Sequence, residues 1–351
     1  MNVTGKVYIV ILNWNGWKDT LECLESVFKT DYSNYRVIVC DNDSQDGSLE
    51  MIKMWADGNL PASVANVALA QFSHPPVAKP ISYIELDRLT GETGNVEGEE
   101  PQLILIRTGG NWGFAGGNNV GLRYALAKAD FDYAWLLNND TVIAPDALGY
   151  MVDRMNVSPK AGMCGCTLRY YHAPDSVQTL GGASYNKWRC RASPIGALQA
   201  VGMKIEREEV ELQMAYVAGA SMLVSREFLE KIGLMAEDYF LYFEEFDWAC
   251  RAAGHYGLVY VPESIVYHKE GGSIGTDVTG KRSALSSFYL QRNRVKFVRR
   301  FFKSYLSFLY ISLLLETVRA LFRRDFFEVK WTLFALFNIR PKRIQREKRL
   351  T

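Results

Sequence analysis

The sequence predicts an α/β protein: a mostly parallel sheet flanked by helices, with a helical extension at its C-terminal end. Three observations carry this. Residues 6–12 (KVYIVIL) and 35–40 (YRVIVC) are continuous apolar, β-branched runs, as strands covered on both faces are. Each is followed by a polar break and then by apolar residues at helical spacing. A third apolar run, 133–137, stops abruptly in Asn138, Asn139 and Asp140. Acid and amide groups just past a buried strand sit where open α/β sheets bind ligands.

In chain order, the strand at 6–12 breaks at Asn13-Trp14-Asn15-Gly16, and Leu21, Leu24, Val27 and Phe28 predict a helix over 19–28. The strand at 35–40 ends in DNDSQDG, ahead of a helix at about 48–55. Residues 57–101 are proline-rich and read as an insertion, with a hairpin around 81–86. A core strand follows at 103–107, then a glycine-rich loop and a helix at about 115–129. Beyond Asp140, a helix is expected at 146–155 and a strand at 162–170. Residues 181–208 read as a mobile loop over the site. YVAGASMLV (216–224) predicts one buried strand, 226–232 a short helix, and 238–253 a helix carrying three acids. Short strands are expected at 258–261 and 265–267, and from Arg282 the chain reads as helical, basic and increasingly apolar.

A 48% hydrophobic and 23% charged composition is that of a globular protein. The apolar run at 7–12 is too short for the core of a signal peptide, so a cytosolic, reduced setting is expected for the six cysteines. No Cys or His pairs have zinc spacing. The net charge of +1 hides an asymmetry: residues 292–351 hold 16 Lys/Arg against 4 Asp/Glu, leaving 24 against 35 elsewhere. A basic tail on an acidic body points to a membrane surface or a nucleic acid.

Three groups of residues could carry chemistry. Asp41 and Asp140 end strands that would share one rim; Asp41 could accept from a base or a hydroxyl, and Asp140 could hold a divalent cation on a diphosphate. Alternatively each caps a helix. Glu244 and Asp247 share a helix face while Glu245 turns about 100° away. An acid among aromatics is desolvated and can serve as a general base; otherwise the three acids simply favour a helix N-terminus. His268, followed by Gly271-Gly272-Ser273, could meet a cation or a phosphate, or be structural. GNWGFAGG lacks the G-x-G-x-x-G spacing, which excludes a Rossmann dehydrogenase.

Together, VILNWNG (10–16), VCDNDSQDGS (39–48), GNWGFAGGNN (110–119), LLNND (136–140), YVAGASMLV, FLYFEEFDWACRAAG (240–254) and VYHKEGGS (266–273) resemble the family 2 glycosyltransferases of the GT-A fold, and among them the bacterial rhamnosyltransferase-like branch. The resemblance covers about 7–300 apart from 57–101. It implies a glycosyltransferase domain over 1–280 and a basic, amphipathic helical region over 281–351. It implies an inverting, metal-dependent transfer from a nucleoside-diphosphate sugar, dTDP-rhamnose in the first instance, to a glycan or a polyprenyl-diphosphate-linked glycan in surface polysaccharide synthesis. Asp41 would bind the base, with Asn13, Asn15, Asn42, Asp43, Gly113 and Asn118 in the donor pocket. Asn138-Asn139-Asp140 stands in place of the DXD motif: Asp140 would hold Mg²⁺ or Mn²⁺, Asn138 and Asn139 would line the donor, and His268 would help bind metal or diphosphate. The family's ED pair is Glu244-Glu245 here, so Glu245 is the expected base, with Glu244 and Asp247 as alternatives.

The apolar stretch 304–315 is 12 residues long, short of a span, and is followed by Glu316, Arg319, Arg323 and Arg324. With a second aromatic set at 326–339 it reads as interfacial helices on an anionic leaflet, on the inner face of the cell membrane. The alternative is a helical pair packed on the domain or on a second copy, as in a homodimer. Tail aromatics cluster with Leu and Ile rather than alternating with Arg, which argues against nucleic acid. Competing readings are a UDP-N-acetylglucosamine or UDP-galactofuranose donor, or a non-catalytic sugar-nucleotide scaffold. A nucleotidyltransferase would need a basic glycine-rich loop where the chain has NWNGWKD.

Overall fold

The computed structural model describes residues 5–96, 98–202, 206–269, 283–337 and 339. Strand β1 (Val7–Asn13) lies inside the sheet, with Val7 to Ile11 wholly buried. Helix α1 (Trp17–Val27) leads to β2 (Tyr35–Asp41), and α2 (Ser48–Ala56) and a short α3 (Ala70–Ser73) lead to β3 (Tyr83–Asp87). Then come α4 (Arg88–Thr93), β4 (Leu103–Arg107), α5 (Gly113–Lys128), β5 (Tyr133–Asn138), β6 (Thr141–Ile143), α6 (Ala147–Asn156), β7 (Ala161–Tyr170) and β8 (Val177–Leu180). The second half holds β9 (Gly182–Asn186), β10 (Arg191–Pro194), α7 (Arg207–Gln213), β11 (Tyr216–Val217), β12 (Ser221–Ser225), α8 (Arg226–Ile232), α9 (Glu244–Ala252) and β13 (Gly257–His268). Helices α10 (Ala284–Phe301), α11 (Leu306–Phe322) and α12 (Phe326–Leu336) follow.

The main sheet runs β3-β4-β2-β1-β5-β12-β7-β13-β6, with β8 on β7. Its first five strands are parallel, as the strand–helix alternation predicts. Strand β12 is antiparallel to both neighbours, and β13 returns parallel to β7 and antiparallel to β6. The α/β sheet flanked by helices is therefore as expected, but mixed. One face packs on α1, α2 and α6 through Leu24, Trp55 and Met151; the other packs on α5, α8 and α9 through Tyr124, Phe228 and Trp248. Gly117 and Gly121 bring α5 onto β1: an added Cβ would stand 2.3 Å from Leu12 and 2.6 Å from Val10.

Several segments differ from expectation. Residues 81–86 form no hairpin; β3 is an edge strand parallel to β4, because the intervening α4 crosses over and returns the chain in the same direction. Much of 181–208 is structured: β9 and β10 form a hairpin that joins β11 in a small antiparallel sheet. Residues 216–224 split into β11 and β12 at Ala218-Gly219-Ala220, where a side chain from α9 presses on the backbone. The two strands expected within 258–267 are one, β13, with a register shift between Val261 and Ile265. The acidic helix begins only at Glu244, because the backbone at Phe240, Tyr242 and Phe243 is left-handed. The apolar helix is longer than 12 residues: 303–322 makes a 20-residue stretch long and apolar enough, by length and composition, to cross a membrane.

That stretch is folded against the rest of the chain on one side. Leu309 and Leu313 are buried with Phe246 of α9 and Phe297 of α10, whose ring centroids lie 4.2 Å apart. Glu316 is buried and takes Arg294 of α10 at 3.0 Å. The opposite side exposes Ile311, Leu314, Leu315 and Phe322, continued by Phe326 and Phe327.

Candidate active site

The sheet register brings the strand-end residues onto one rim. Asn13 pairs with Asp41, and Leu12 pairs with Asn138. Asn13, buried at the end of β1, donates from Nδ2 to Asp41 Oδ1 at 2.8 Å and accepts at Oδ1 from Thr20 Oγ1 at 2.9 Å. Asn139 donates to the same Thr20 hydroxyl at 3.0 Å. Amides and a hydroxyl thus connect Asp41 with the loop that holds Asp140.

Neither aspartate caps a helix. The residue before α2 is Gly47, and Asp140 turns the chain from β5 into β6. Asp41 Oδ2 instead accepts from the backbone N–H of Ser44 at 3.1 Å. Asn15 folds the same loop: its N–H donates to Ser44 Oγ at 2.9 Å and its Oδ1 accepts from the Gln45 N–H at 2.7 Å. Asp43, half-buried, has a left-handed backbone.

Two of the expected donor residues have their side chains committed elsewhere. Asn42 accepts from the Trp112 N–H (3.1 Å) and Thr108 Oγ1 (3.2 Å), and donates to Asn111 Oδ1 (3.0 Å) and the Gly113 carbonyl (3.3 Å). All its hydrogen-bonding capacity goes into the loop before α5, so it shapes that loop rather than offering a free amide. Asn118 bonds back to the Phe114 carbonyl at 3.0 Å within α5 and is buried. Gly113 faces Phe240, whose carbonyl accepts from the Phe114 N–H at 2.7 Å. This contact joins the loop after β4 to the approach to α9.

Asp140 and His268 meet because β13 runs antiparallel to β6, with His268 opposite Thr141. His268 Nε2 lies 3.2 Å from Asp140 Oδ1 and 3.4 Å from Asn138 Nδ2, and its Nδ1 lies 3.0 Å from Gln178 Oε1. Burial alone would raise the Asp140 carboxyl, but His268 and Lys269 outweigh it and hold the group below its ordinary range. Oδ1 of Asp140 is buried and, apart from this imidazole, has no hydrogen-bond donor among the described residues. Among the described residues no cluster of three or more His, Cys, Asp or Glu side chains forms a closed metal cage. One carboxylate and one imidazole fit a cation that takes its remaining ligands from a diphosphate and water, the usual habit of Mg²⁺. Residues 271–273 lie outside the described residues.

The three acids of α9 separate by environment. Asp247 is fully buried and saturated: Tyr239 OH at 2.9 Å, Arg251 at 2.9 Å and Arg300 at 2.8 Å. Both of its carboxylate oxygens are thus engaged within the fold. Glu244 is buried, and its Oε2 has no hydrogen-bond partner among the described residues. Burial, then repulsion from Glu245, pushes its carboxyl well above the ordinary range. Glu245 is half-buried, and burial raises it to about 7. Its carboxylate lies on the turn before β12, where a Cβ on Gly219 would stand 2.2 Å from Oε1. The next carbonyl, that of Ala220, accepts from the Asn138 N–H at 3.0 Å. Glu245 therefore lies on the residue next to the carbonyl that pairs with the end of β5.

The residue-level reading missed Gln178, Lys269, Gly219 and Arg300. Lys269 had the most visible signal, directly after His268: its ammonium meets Asp19 at 2.6 Å and Glu22 at 2.7 Å, and its N–H donates to the Asp140 carbonyl at 2.9 Å. The other three are contacts between elements far apart in the chain, with no local pattern.

Comparison with known proteins bears on the fold and the family. The structure superposes on the Pyrobaculum calidifontis mannosyltransferase PcManGT, solved in complex with GDP-Man and Mn2+, with a TM-score of 0.52 at 16% identity, covering 95% of this chain and 86% of that one. It superposes on residues 1–349 of S. aureus TarS, solved with UDP-GlcNAc, with a TM-score of 0.51 at 11% identity, covering 97% and 83%. At these identities the likeness establishes the fold. A curated relative, the low-salt glycan biosynthesis hexosyltransferase Agl10 of Haloferax volcanii, is 26% identical over 156 residues; the match takes in 43% of this chain and 46% of the relative, under half its length. The family model "Glycosyl transferase family 2" matches residues 8–66, and "Glycosyltransferase like family 2" matches residues 101–294, more than half the chain. The chain belongs to the family 2 glycosyltransferases.

Proposed function

We propose that the chain is an inverting, divalent-cation-dependent hexosyltransferase. It moves a sugar, rhamnose from dTDP-rhamnose in the first instance, to a hydroxyl of a glycan or lipid-linked glycan in surface polysaccharide synthesis. What supports this reading is the placement of Asp41 on Asn13, of Asp140 on His268, and of Glu245 on Gly219, next to the Ala220 carbonyl that accepts from the Asn138 N–H.

Asp41 and the loop folded by Asn15 receive the nucleotide, and Asp140 and His268 face its diphosphate. A Mg²⁺ or Mn²⁺ ion held by Asp140 and His268 would neutralise the charge growing on the leaving diphosphate. Glu245 accepts the proton of the acceptor hydroxyl as that oxygen bonds to the anomeric carbon. The bond from that carbon to the diphosphate oxygen breaks on the opposite face, so the configuration inverts. A carboxyl raised to about 7 is matched to this task near neutrality. Glu244, buried without a partner at Oε2, keeps its proton and leaves the ionised form to Glu245.

The outer side of α11 and α12 supports a peripheral place on an anionic membrane. Ile311, Leu314, Leu315 and Phe322 are exposed beside Arg319, Arg323 and Arg324. Buried Glu316 on the inner side favours a helix lying in the interface over one crossing the bilayer. The test of function is a donor panel of dTDP-rhamnose, UDP-N-acetylglucosamine and UDP-galactofuranose with Mn²⁺, read by thermal stabilisation and then by sugar transfer. Stabilisation by none of them, with or without the cation, would remove the reading.

A further inference from the structure

The backbone ahead of α9 is left-handed at three non-glycine residues: Phe240 (φ 69°), Tyr242 (φ 67°) and Phe243 (φ 75°). Bulky aromatic residues rarely adopt this region, at a cost on the order of 1–3 kcal/mol each. Such a turn persists only where its surroundings impose it. Here the surroundings are one face of α10. Ser286, Tyr289, Asn293 and Arg300 recur at spacings of three, four and seven, which stacks them along one side of a helix. The Tyr242 hydroxyl meets Ser286 Oγ at 2.7 Å, the Phe240 ring stacks on Tyr289 at 4.7 Å, and Arg300 pairs with Asp247 of α9 at 2.8 Å.

Asn293 is the centre of this face. It is fully buried, and its Nδ2 donates to the carbonyls of Tyr239 and Leu241 at 2.7 Å each, with that of Tyr242 at 3.3 Å. These carbonyls lie in the turn itself, away from any regular ladder. An amide brings two N–H donors to one point, whereas a leucine of similar shape brings none and an aspartate would set acceptor against acceptor. Asn293 touches no reacting group, and its partners end two residues before Glu244.

We propose that Asn293 is a positioning residue of the acid pair: from a separate helix, its amide holds the left-handed turn that delivers Glu244 and Glu245 to the strand-end rim. This rests on the reading of that pair as the site of acceptor deprotonation. Among the described residues the titratable groups facing the pair are each other and Tyr216 of β11, while Asp247 is paired with Arg251 and Arg300. If the turn relaxes, water reaches both carboxyls and their raised values fall.

The test is carboxyl ¹³C NMR titration of the full-length chain, with resonances assigned by Glu244→Gln and Glu245→Gln. Asn293→Ala is expected to lower the pair's titrations by about one unit or more, and to shift the acidic limb of the kcat profile, set by deprotonation of the base, to lower pH with them. Circular dichroism should match the wild type, and binding of UDP with Mn²⁺ should be retained, because Asp41 and Asp140 lie on other elements. A titration indistinguishable from wild type, even with reduced stability, would confine Asn293 to the fold and overturn the proposal. If Asn293→Ala does not fold, Asn293→Ser, which keeps one short donor, is read by the same criterion. Failure of the wild type to bind any nucleotide would remove the glycosyltransferase reading alone, since the titration reports on the turn independently.

Discussion

The carboxylate of Glu245 rests on Gly219 so closely that one added carbon would stand 2.2 Å from Oε1. Gly219→Ala must therefore displace either the acid or the turn before β12. A shift of about 1 Å in a reacting group can cost roughly 10²-fold. We expect kcat to fall on that scale while UDP binding with Mn²⁺ is retained, measured by steady-state kinetics and calorimetry. Wild-type kcat in Gly219→Ala would separate Glu245 from the chemistry.

Glu245→Gln should lower transfer by about 10²- to 10⁴-fold, the range of a general base. It should also change how stability depends on pH. A carboxyl whose folded value is raised binds its proton more tightly in the native state. It therefore loses stability as pH rises from its ordinary 4.5 through about 7. Glu245→Gln removes part of that loss, so the fall in Tm between pH 5 and 8 should be shallower than in wild type. An equally steep fall would mean that Glu245 carries no raised value.

Asp140→Ala removes the carboxylate that faces His268 at 3.2 Å. The expected outcome is loss of cation-dependent nucleotide binding. At a ligand concentration 100-fold above Kd this forfeits about 2.7 kcal/mol of added stability. Thermal shift with UDP, with and without Mn²⁺, reads it directly; a retained cation effect would place the ion elsewhere.

Arg294 and Glu316 form a buried pair 3.0 Å apart between α10 and α11. Arg294→Met leaves Glu316 with Arg191 at 3.0 Å and Ser312 at 2.8 Å, so the loss should stay below the about 3–5 kcal/mol of an uncompensated buried charge, and the double change to Met and Leu should recover part of it. Denaturant unfolding of the two variants provides the comparison. Equal stability of single and double variants would show that Arg191 alone satisfies Glu316.

For the outer side of α11, Leu314→Glu combined with Phe322→Glu should abolish flotation with anionic liposomes while leaving donor binding unchanged. Flotation of the unaltered protein is the reference. If it stays off anionic vesicles and sediments as a dimer, the face belongs to a second copy of the chain.

Much of this was legible in the chain. Continuous β-branched runs marked β1, β2 and β4, and abrupt polar stops after β1, β2 and β5 marked the rim. What was not legible depends on contacts between distant segments. YVAGASMLV carries no sign that Glu245 will press on its glycine, so it reads as one strand. Asp238 to Phe243 reads as helix, since nothing local shows that Asn293 will hold its carbonyls. Nothing local to Asp247, an alternative to Glu245 in the sequence, shows that Arg300, 53 positions on, lies against it. At 81–86 extended structure was legible, but not that it pairs in parallel with β4 rather than folding back as a hairpin.

The ion pair at Glu316 also restricts how α11 can turn. A cylinder held at one flank cannot roll about its long axis without breaking that hold, so whatever meets the outer flank encounters the same row of side chains each time. Because α10 grips α11 through Arg294 and the approach to α9 through Asn293, two adjacent positions on one rod connect an outward-facing apolar strip with the acids of α9.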